Sequence, residues 1–241
     1  MTKAKGEADL AHLTEWLAAL YGDGLVSLVL YGSLAGANHH GAYSDINVLC
    51  VLEEVTAETL ARGAAALRWW QRRGHRPVSV LSRREATEGA KVFPIEFFDL
   101  RQHRRVLAGA DVFATTPHCA AEYRWQVEHD LRARLIGLRG RYVAAAQDRK
   151  ALQRLLLESA GTFLTLLRHA VAAAGGPWLG DKAEAARAAA ERFAITPQPF
   201  LQILAARRGE GKLPGDLAGL RQIFAAYLQA IQQVERRLEE L

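Results

Sequence analysis

Two short apolar runs constrain the fold of this chain more than any other feature. Leu25-Val26-Ser27-Leu28-Val29-Leu30-Tyr31 lies between Gly24 and Gly32, and Asp45-Ile46-Asn47-Val48-Leu49-Cys50-Val51-Leu52 follows soon after. Each is too short for a helix and predicts a buried strand. Around them the apolar period becomes helical. Leu10, Leu13, Leu17 and Leu20 form one stripe within Glu7–Tyr21, and Leu60, Leu67 and Trp70 recur within Thr59–Arg73. Pro77–Leu81 reads as a third strand, and Ser82 with Glu85 as a capping box opening a short helix. Phe93–Leu100 reads as a fourth strand, and Arg104, Arg105 and Leu107 as a helical turn closed by Gly109. Strands alternating with helices predict an α/β (α+β) domain.

The strand signals stop after Thr115. Thr116-Pro117 has the form of an N-cap followed by an N1 proline. Tyr123, Val127, Leu131, Leu135, Leu138 and Tyr142 then recur at helical spacing. Leu152, Leu156, Phe163, Leu167 and Val171 mark a second helix, closed by Gly175-Gly176-Pro177. Asp181 with Glu184 starts a third, Thr196-Pro197 a fourth that ends at Gly209, and Asp216 a fifth. Capped amphipathic helices in series predict a bundle. The expected organisation is therefore an α/β domain over residues 1–115 and an all-α helical bundle over residues 116–241.

A chain of 241 residues with half its residues hydrophobic and 24% charged has ample core and is not a disordered tail. No apolar run reaches the roughly 18 residues of a membrane span. The polar start, Met1-Thr2-Lys3-Ala4-Lys5-Gly6-Glu7, lacks a secretory apolar stretch. Two cysteines, Cys50 and Cys119, make neither a disulfide framework nor a CxxC metal pattern, and Cys50 reads as a reduced core thiol. A cytoplasmic location with no membrane partner is the expectation. The net charge of +5 fits phosphate-bearing ligands and equally fits arginine-decorated helix faces. No nucleic-acid-binding motif accompanies it, so nucleic acid is not an expected partner, and a homo-oligomer stays open.

The segment that carries chemistry is Leu30-Tyr31-Gly32-Ser33, eleven residues, then Asp45-Ile46-Asn47. A Gly-Ser turn leading into a helix offers unpaired backbone N–H groups and a hydroxyl to phosphate oxygens. Period-two alternation puts Asp45 and Asn47 on one face of the second strand, with Ile46 and Val48 opposite. Two neighbouring oxygen-bearing side chains beside a phosphate seat suit a hard cation such as Mg²⁺.

Here the sequence resembles the DNA polymerase β-like nucleotidyltransferase superfamily, which includes the bacterial minimal and aminoglycoside nucleotidyltransferases. The run YGSLAGANHHGAYSDINVLCVL carries its Gly-Ser, spacer and Asp-x-acid pattern, and FPIEFFDLRQHRRVLAG is similar to the segment that follows. The resemblance spans about residues 7–113 and implies a mixed sheet with flanking helices. It also implies transfer of a nucleoside monophosphate from Mg²⁺-NTP, ATP by preference, to an acceptor that the sequence does not identify. By resemblance, Gly32 and Ser33 hold phosphate, while Asp45, Asn47 and Glu96 form the metal set, with Asp45 and Glu96 catalytic and Asp99 second choice to Glu96. The family's second carboxylate is replaced by Asn47, which removes one negative charge and implies weakened catalysis. The alternative is a catalytically inactive nucleotide-binding or protein-interaction module. If the Pro77–Leu81 strand is the family's third, Ser79 or a valine stands where an acid is needed.

Weaker signals are His39-His40, read as a solvated loop, and Arg101, Arg104 and Arg105, read either as triphosphate contacts or as a basic helix face. Trp69 and Trp70 cannot both face the core from one helix. A basic chain argues mildly against a cationic aminoglycoside as acceptor.

Overall fold

A computed structural model describes residues 3–32, 46–117 and 119–241. The chain divides into two compact units, Met1–Cys119 and Ala120–Leu241.

The first unit is a sheet with helices on both faces. In chain order it contains α1 (Lys3–Tyr21), β1 (Leu25–Tyr31), β2 (Asn47–Leu52), α2 (Ala57–Arg72), β3 (Ser79–Ser82), α3 (Arg83–Glu88), α4 (Pro94–Gln102) and β4 (Arg104–Gly109). The strand order is β3-β2-β1-β4, with β1 antiparallel to β2 and β4, and β2 parallel to β3. Alternation along the strands builds two cores. Leu28, Leu30, Ile46, Val48 and Cys50 pack with Leu10, Leu13 and Leu17 of α1 and Trp70 of α2. Val29, Leu49 and Val51 pack on the other face with Ala86 of α3 and Phe97 and Leu100 of α4. Burial pushes the Cys50 thiol up to about 12, so it stays a protonated core group.

The capping box at Ser82 is present, with the Ser82 hydroxyl accepting from Glu85 N and Glu85 accepting from Ser82 N. Two expectations are corrected. Phe93–Leu100 is not a strand: Pro94 sits at the start of α4, and Pro94, Phe97 and Leu100 are buried at helical spacing. Arg104–Gly109 is not a helical turn but β4, which covers the second edge of β1 through the pairs Leu30↔Arg105 and Tyr31↔Arg104. The edge of a buried central strand is satisfied by a short charged segment, a tertiary demand that overrides local propensity. The tryptophan pair also resolves. Trp70 is fully buried and its Nε1 donates to Arg76 O at 2.7 Å, whereas Trp69 is half-buried beneath the Arg73 guanidinium.

The second unit contains α5 (Ala120–Ala145), α6 (Arg149–Ala173), α7 (Lys182–Phe193), α8 (Gln198–Arg208) and α9 (Leu217–Glu239). Helix α6 packs against the other four. Caps are as the sequence suggests at Asp181 of α7, whose carboxylate accepts from Ala183 N and Glu184 N, and at Gly209 closing α8, left-handed at φ 75°. Thr116-Pro117 is not the start of α5, which begins at Ala120; the Thr116 hydroxyl instead donates back to Val112 O.

Within this core His169 is 1% exposed and hydrogen-bonds through Nδ1 to the Tyr123 hydroxyl at 2.9 Å. Burial, reinforced by the Arg168 charge, lowers its pKa to about 3. Below the unfolded value near 6.5 the unfolded chain binds a proton that the folded chain refuses, so stability is full above that pH and falls as pH drops toward 3. Urea unfolding between about pH 7 and pH 4 is expected to lose roughly 1 kcal/mol per pH unit below the unfolded pKa. His169→Gln flattens that slope; an equal slope in the variant would assign it to other groups.

Candidate functional site

The site grows from the ends of β1 and β2. Tyr31, the last residue of β1, pairs with Asn47, the first of β2. Gly32 follows at φ 81°, a left-handed conformation that disfavours any residue with a Cβ, and its N–H donates to His103 O at 3.3 Å. A Cβ added to Gly32 would lie 3.0 Å from Asn47 Nδ2, so the missing side chain is what lets the Asn47 amide lean across the strand end. Asn47 is half-buried and continues the face of Leu49 and Val51, while Ile46 and Val48 enter the opposite core. Of the expected division of faces, the described part is Asn47 set opposite Ile46 and Val48. Ser33 and Asp45 lie outside the described residues, as do His39 and His40.

The expected third carboxylate is not on a strand. Glu96 is exposed in the first turn of α4, and Asp99 lies one turn further along the same helix. On β3 the parallel register sets Ser79 level with Leu49. Continued back two residues, it would set Pro77 level with Asn47, before β3 begins. The four residues of β3, Ser79-Val80-Leu81-Ser82, include no acid. Among the described residues no three His, Cys, Asp or Glu side chains gather to hold a metal ion.

The arginines after α4 are committed to ion pairs. Arg104 holds Asp111 through two 2.8 Å hydrogen bonds, and this hydrogen bonding keeps the Asp111 carboxyl below its usual range despite partial burial. Arg105 reaches Glu7 at 2.9 Å. The reading of these two as triphosphate contacts is thereby weakened in favour of a structural one.

The helical unit carries a cationic cluster that sequence reasoning missed. Lys182 Nζ donates to Gly161 O at 3.3 Å, and a Cβ on Gly161 would lie 2.5 Å from Arg207 Nη1. The glycine thus lets a guanidinium lie against α6. Burial, then the Arg207, Arg168 and Arg208 charges, pull the Lys182 pKa below its ordinary value. Arg208 is partly compensated by Asp181 at 3.3 Å. Arg207 also lines an open depression of about 490 Å³ with Lys150, Gln153, Arg154, Leu157 and Glu158. Like charges held together in this way favour an anion. No local motif marks them, because Lys182 and Arg207 meet only through the packing of α6, α7 and α8.

None of the protein-family models matches the sequence, and no curated protein does. Solved structures do. The chain is similar to a spectinomycin adenyltransferase from Enterococcus faecialis, solved with ATP and spectinomycin. The match has a TM-score of 0.61 at 14% identity and covers 97% of this chain and 99% of that one. At this identity the likeness is one of fold. The fold expected from the resemblance, a mixed sheet with flanking helices followed by a helical bundle, is the fold this chain shares with that adenyltransferase.

Proposed function

We propose that the chain binds a nucleoside triphosphate, ATP by preference, with Mg²⁺ at the ends of β1 and β2, and transfers its nucleoside monophosphate to an acceptor. On this reading residues 1–115 carry the nucleotide chemistry, residues 116–241 form the helical domain, and the protein works in the cytoplasm. The observation that carries it is Gly32 at φ 81° set against Asn47, paired strand end to strand end. Its support is the nucleotidyltransferase fold of the whole chain and the ATP bound by the similar adenyltransferase.

The reaction class is displacement at the α-phosphorus. An acceptor oxygen forms the new P–O bond, the bridging P–O bond to the β-phosphorus breaks, pyrophosphate leaves, and the acceptor's proton passes to a base. Gly32 contributes a backbone turn without a side chain, so phosphate can approach closely. Asn47 contributes an amide oxygen, and Asp45 and Ser33 are its proposed partners.

The donor set decides what metal the site suits. Two Mg²⁺ ions require three carboxylates, and Asn47, Ser79 and the helical placement of Glu96 do not provide them. A single Mg²⁺ that arrives on the triphosphate fits Asp45 and Asn47, since this ion is commonly held by one or two carboxylates plus phosphate oxygens. It would neutralise part of the phosphate charge. These same residues favour a second reading, a nucleotide-binding protein without transfer.

Thermal unfolding tests binding. Mg²⁺-ATP at millimolar concentration is expected to raise the melting temperature by several degrees, because a ligand bound to the folded state stabilises it. Ser33→Ala with Asp45→Ala removes the shift and leaves the melting temperature without nucleotide unchanged. Absence of a shift in the wild type with every common NTP overturns the proposal. Release of pyrophosphate from ATP in the presence of cell-extract small molecules separates transfer from binding alone.

A further inference from the structure

We infer that this chain forms a two-fold dimer through the outer face of α5, with the two copies of the helix packed antiparallel. Three of the large exposed hydrophobic side chains lie on this helix: Trp125 is 66% exposed, Ile136 62% and Val143 79%. They are not scattered. Trp125 and Val143 are 18 residues apart, about five turns, and so sit on one line about 27 Å long. Ile136 lies about 20° to one side of that line and Arg132 about 20° to the other, with His129 at about 40° and Gly140 at about 60°. The Trp125 and His129 rings are stacked at 5.5 Å, which fixes the broad end of the stripe.

Two glycines in the middle of a long helix need a reason, since each destabilises it by roughly 0.5–1 kcal/mol relative to alanine. Gly137 and Gly140 are exposed, and a Cβ on either would meet nothing within 4 Å in the chain. They give no packing advantage within this copy. Gly140, about 60° from the line, lowers the surface beside the stripe and lets another helix approach closely, whereas Gly137 lies about 120° away.

The stripe is complementary to itself, and this selects a second copy as the occupant. Antiparallel packing that sets Trp125 over the partner's Val143 also sets His129 over the partner's Gly140 and Ile136 beside the partner's Ala133. Small groups face His129 and Ile136, Arg132 lies near the axis across from the partner's Ile136, and the two-fold axis repeats each contact. The same register brings Glu128, which lies 3.9 Å from Arg124 and also near the Arg132 charge within its own chain, level with the partner's Arg139. The axis makes that ion pair twice. Arg132, which lies within the stripe, is already paired with Glu235 and Glu239 of α9 in the chain, so its charge does not oppose the contact. Two helices meeting along about 27 Å bury on the order of 1,000 Å², the lower bound for a specific interface, which fits a dimer of micromolar affinity.

Sedimentation equilibrium of the full chain between about 5 and 200 µM tests this. The wild type is expected to move from monomer to dimer across that range. Ile136→Glu and Val143→Glu are each expected to stay monomeric with an unchanged far-UV circular dichroism spectrum. Glu128→Arg and Arg139→Glu each weaken dimerisation at least fivefold, and the two together restore it, a rescue that no other occupant of the face would give. A wild type that stays monomeric at 200 µM overturns the inference. So does a dimer indifferent to Ile136→Glu, or a charge-swapped double variant no better than its singles. A monomer that sediments with anionic lipid vesicles would assign the face to a membrane surface, also against the dimer.

Discussion

Asn47→Asp is expected to tighten Mg²⁺-dependent ATP binding about tenfold, a gain of about 1.4 kcal/mol, and to raise nucleotidyl transfer above wild type. The substitution restores one negative charge at the head of β2, beside Gly32, without changing side-chain size. Its effect should reverse in chelator, where the new carboxylate and Asp45 repel one another and lower the melting temperature. Calorimetric titration with Mg²⁺-ATP and thermal unfolding in EDTA give the two halves of the test. Identical behaviour of variant and wild type in both conditions means that the side chain does not face a cation, and the non-catalytic reading leads. Ready transfer by the wild type with slower transfer by Asn47→Asp means that the amide itself is the adapted ligand.

The largest stability effect is expected at Asp9, on the far side of the sheet from Asn47. This α1 carboxylate is 2% exposed and accepts from Arg73 Nε at 2.6 Å and from His75 Nε2 at 2.9 Å. His75 is itself stacked 3.7 Å from Trp70, so the pair ties α1 to the connection between α2 and β3. Burial alone would raise the Asp9 carboxyl, but the His75 and Arg73 hydrogen bonds and the Arg73 charge outweigh it and hold the group below its usual range. Its stabilisation is therefore present above the unfolded carboxylate pKa and lost as pH falls through the folded value. Asp9→Ala leaves both partners unmatched and is expected to cost about 3–5 kcal/mol in urea unfolding at neutral pH. Asp9→Asn keeps an acceptor and costs less. A loss below about 1 kcal/mol for the alanine variant would show that water replaces the carboxylate.

What could be read from the sequence follows from which residues act locally. Leu25–Tyr31 is bounded by glycines and too short for a helix, and it coincides with β1. Alternation alone separates Ile46 and Val48 from Asn47 and Leu49. The error at residues 93–109 has a physical source. Phe93-Pro94-Ile95-Glu96-Phe97-Phe98 is apolar and aromatic enough to suggest a strand, yet Pro94, Phe97 and Leu100 bury one side of a helix. The true strand, Arg104–Gly109, carries two arginines and depends on β1 for its existence. Placing Glu96 on a strand followed directly from that inversion. Lys182 and Arg207 were invisible for a different reason, since their meeting at Gly161 is a product of three packed helices.

The pairing of β1 also has a consequence for how such chains can diverge. Against β2 the register slips between Leu25 and Ser27, so β1 holds one more residue there than its neighbour needs. Val26 and Val29 face one layer of helices, and Leu28 and Leu30 the other, because the extra residue reverses the parity of the strand midway. Beyond it Tyr31 keeps the side of Val29 by ordinary alternation against β2. Deleting Ser27 would leave Leu25, Val26, Leu28, Val29, Leu30 and Tyr31 in strict alternation, one residue of β1 to each of β2, with Tyr31 and the turn at Gly32 on the side they now occupy. The bulge can therefore absorb a one-residue change in length at the far end of β1 before it reaches Gly32 and Asn47, so the strand can lose a residue there while the side of the sheet that carries the chemistry stays the same.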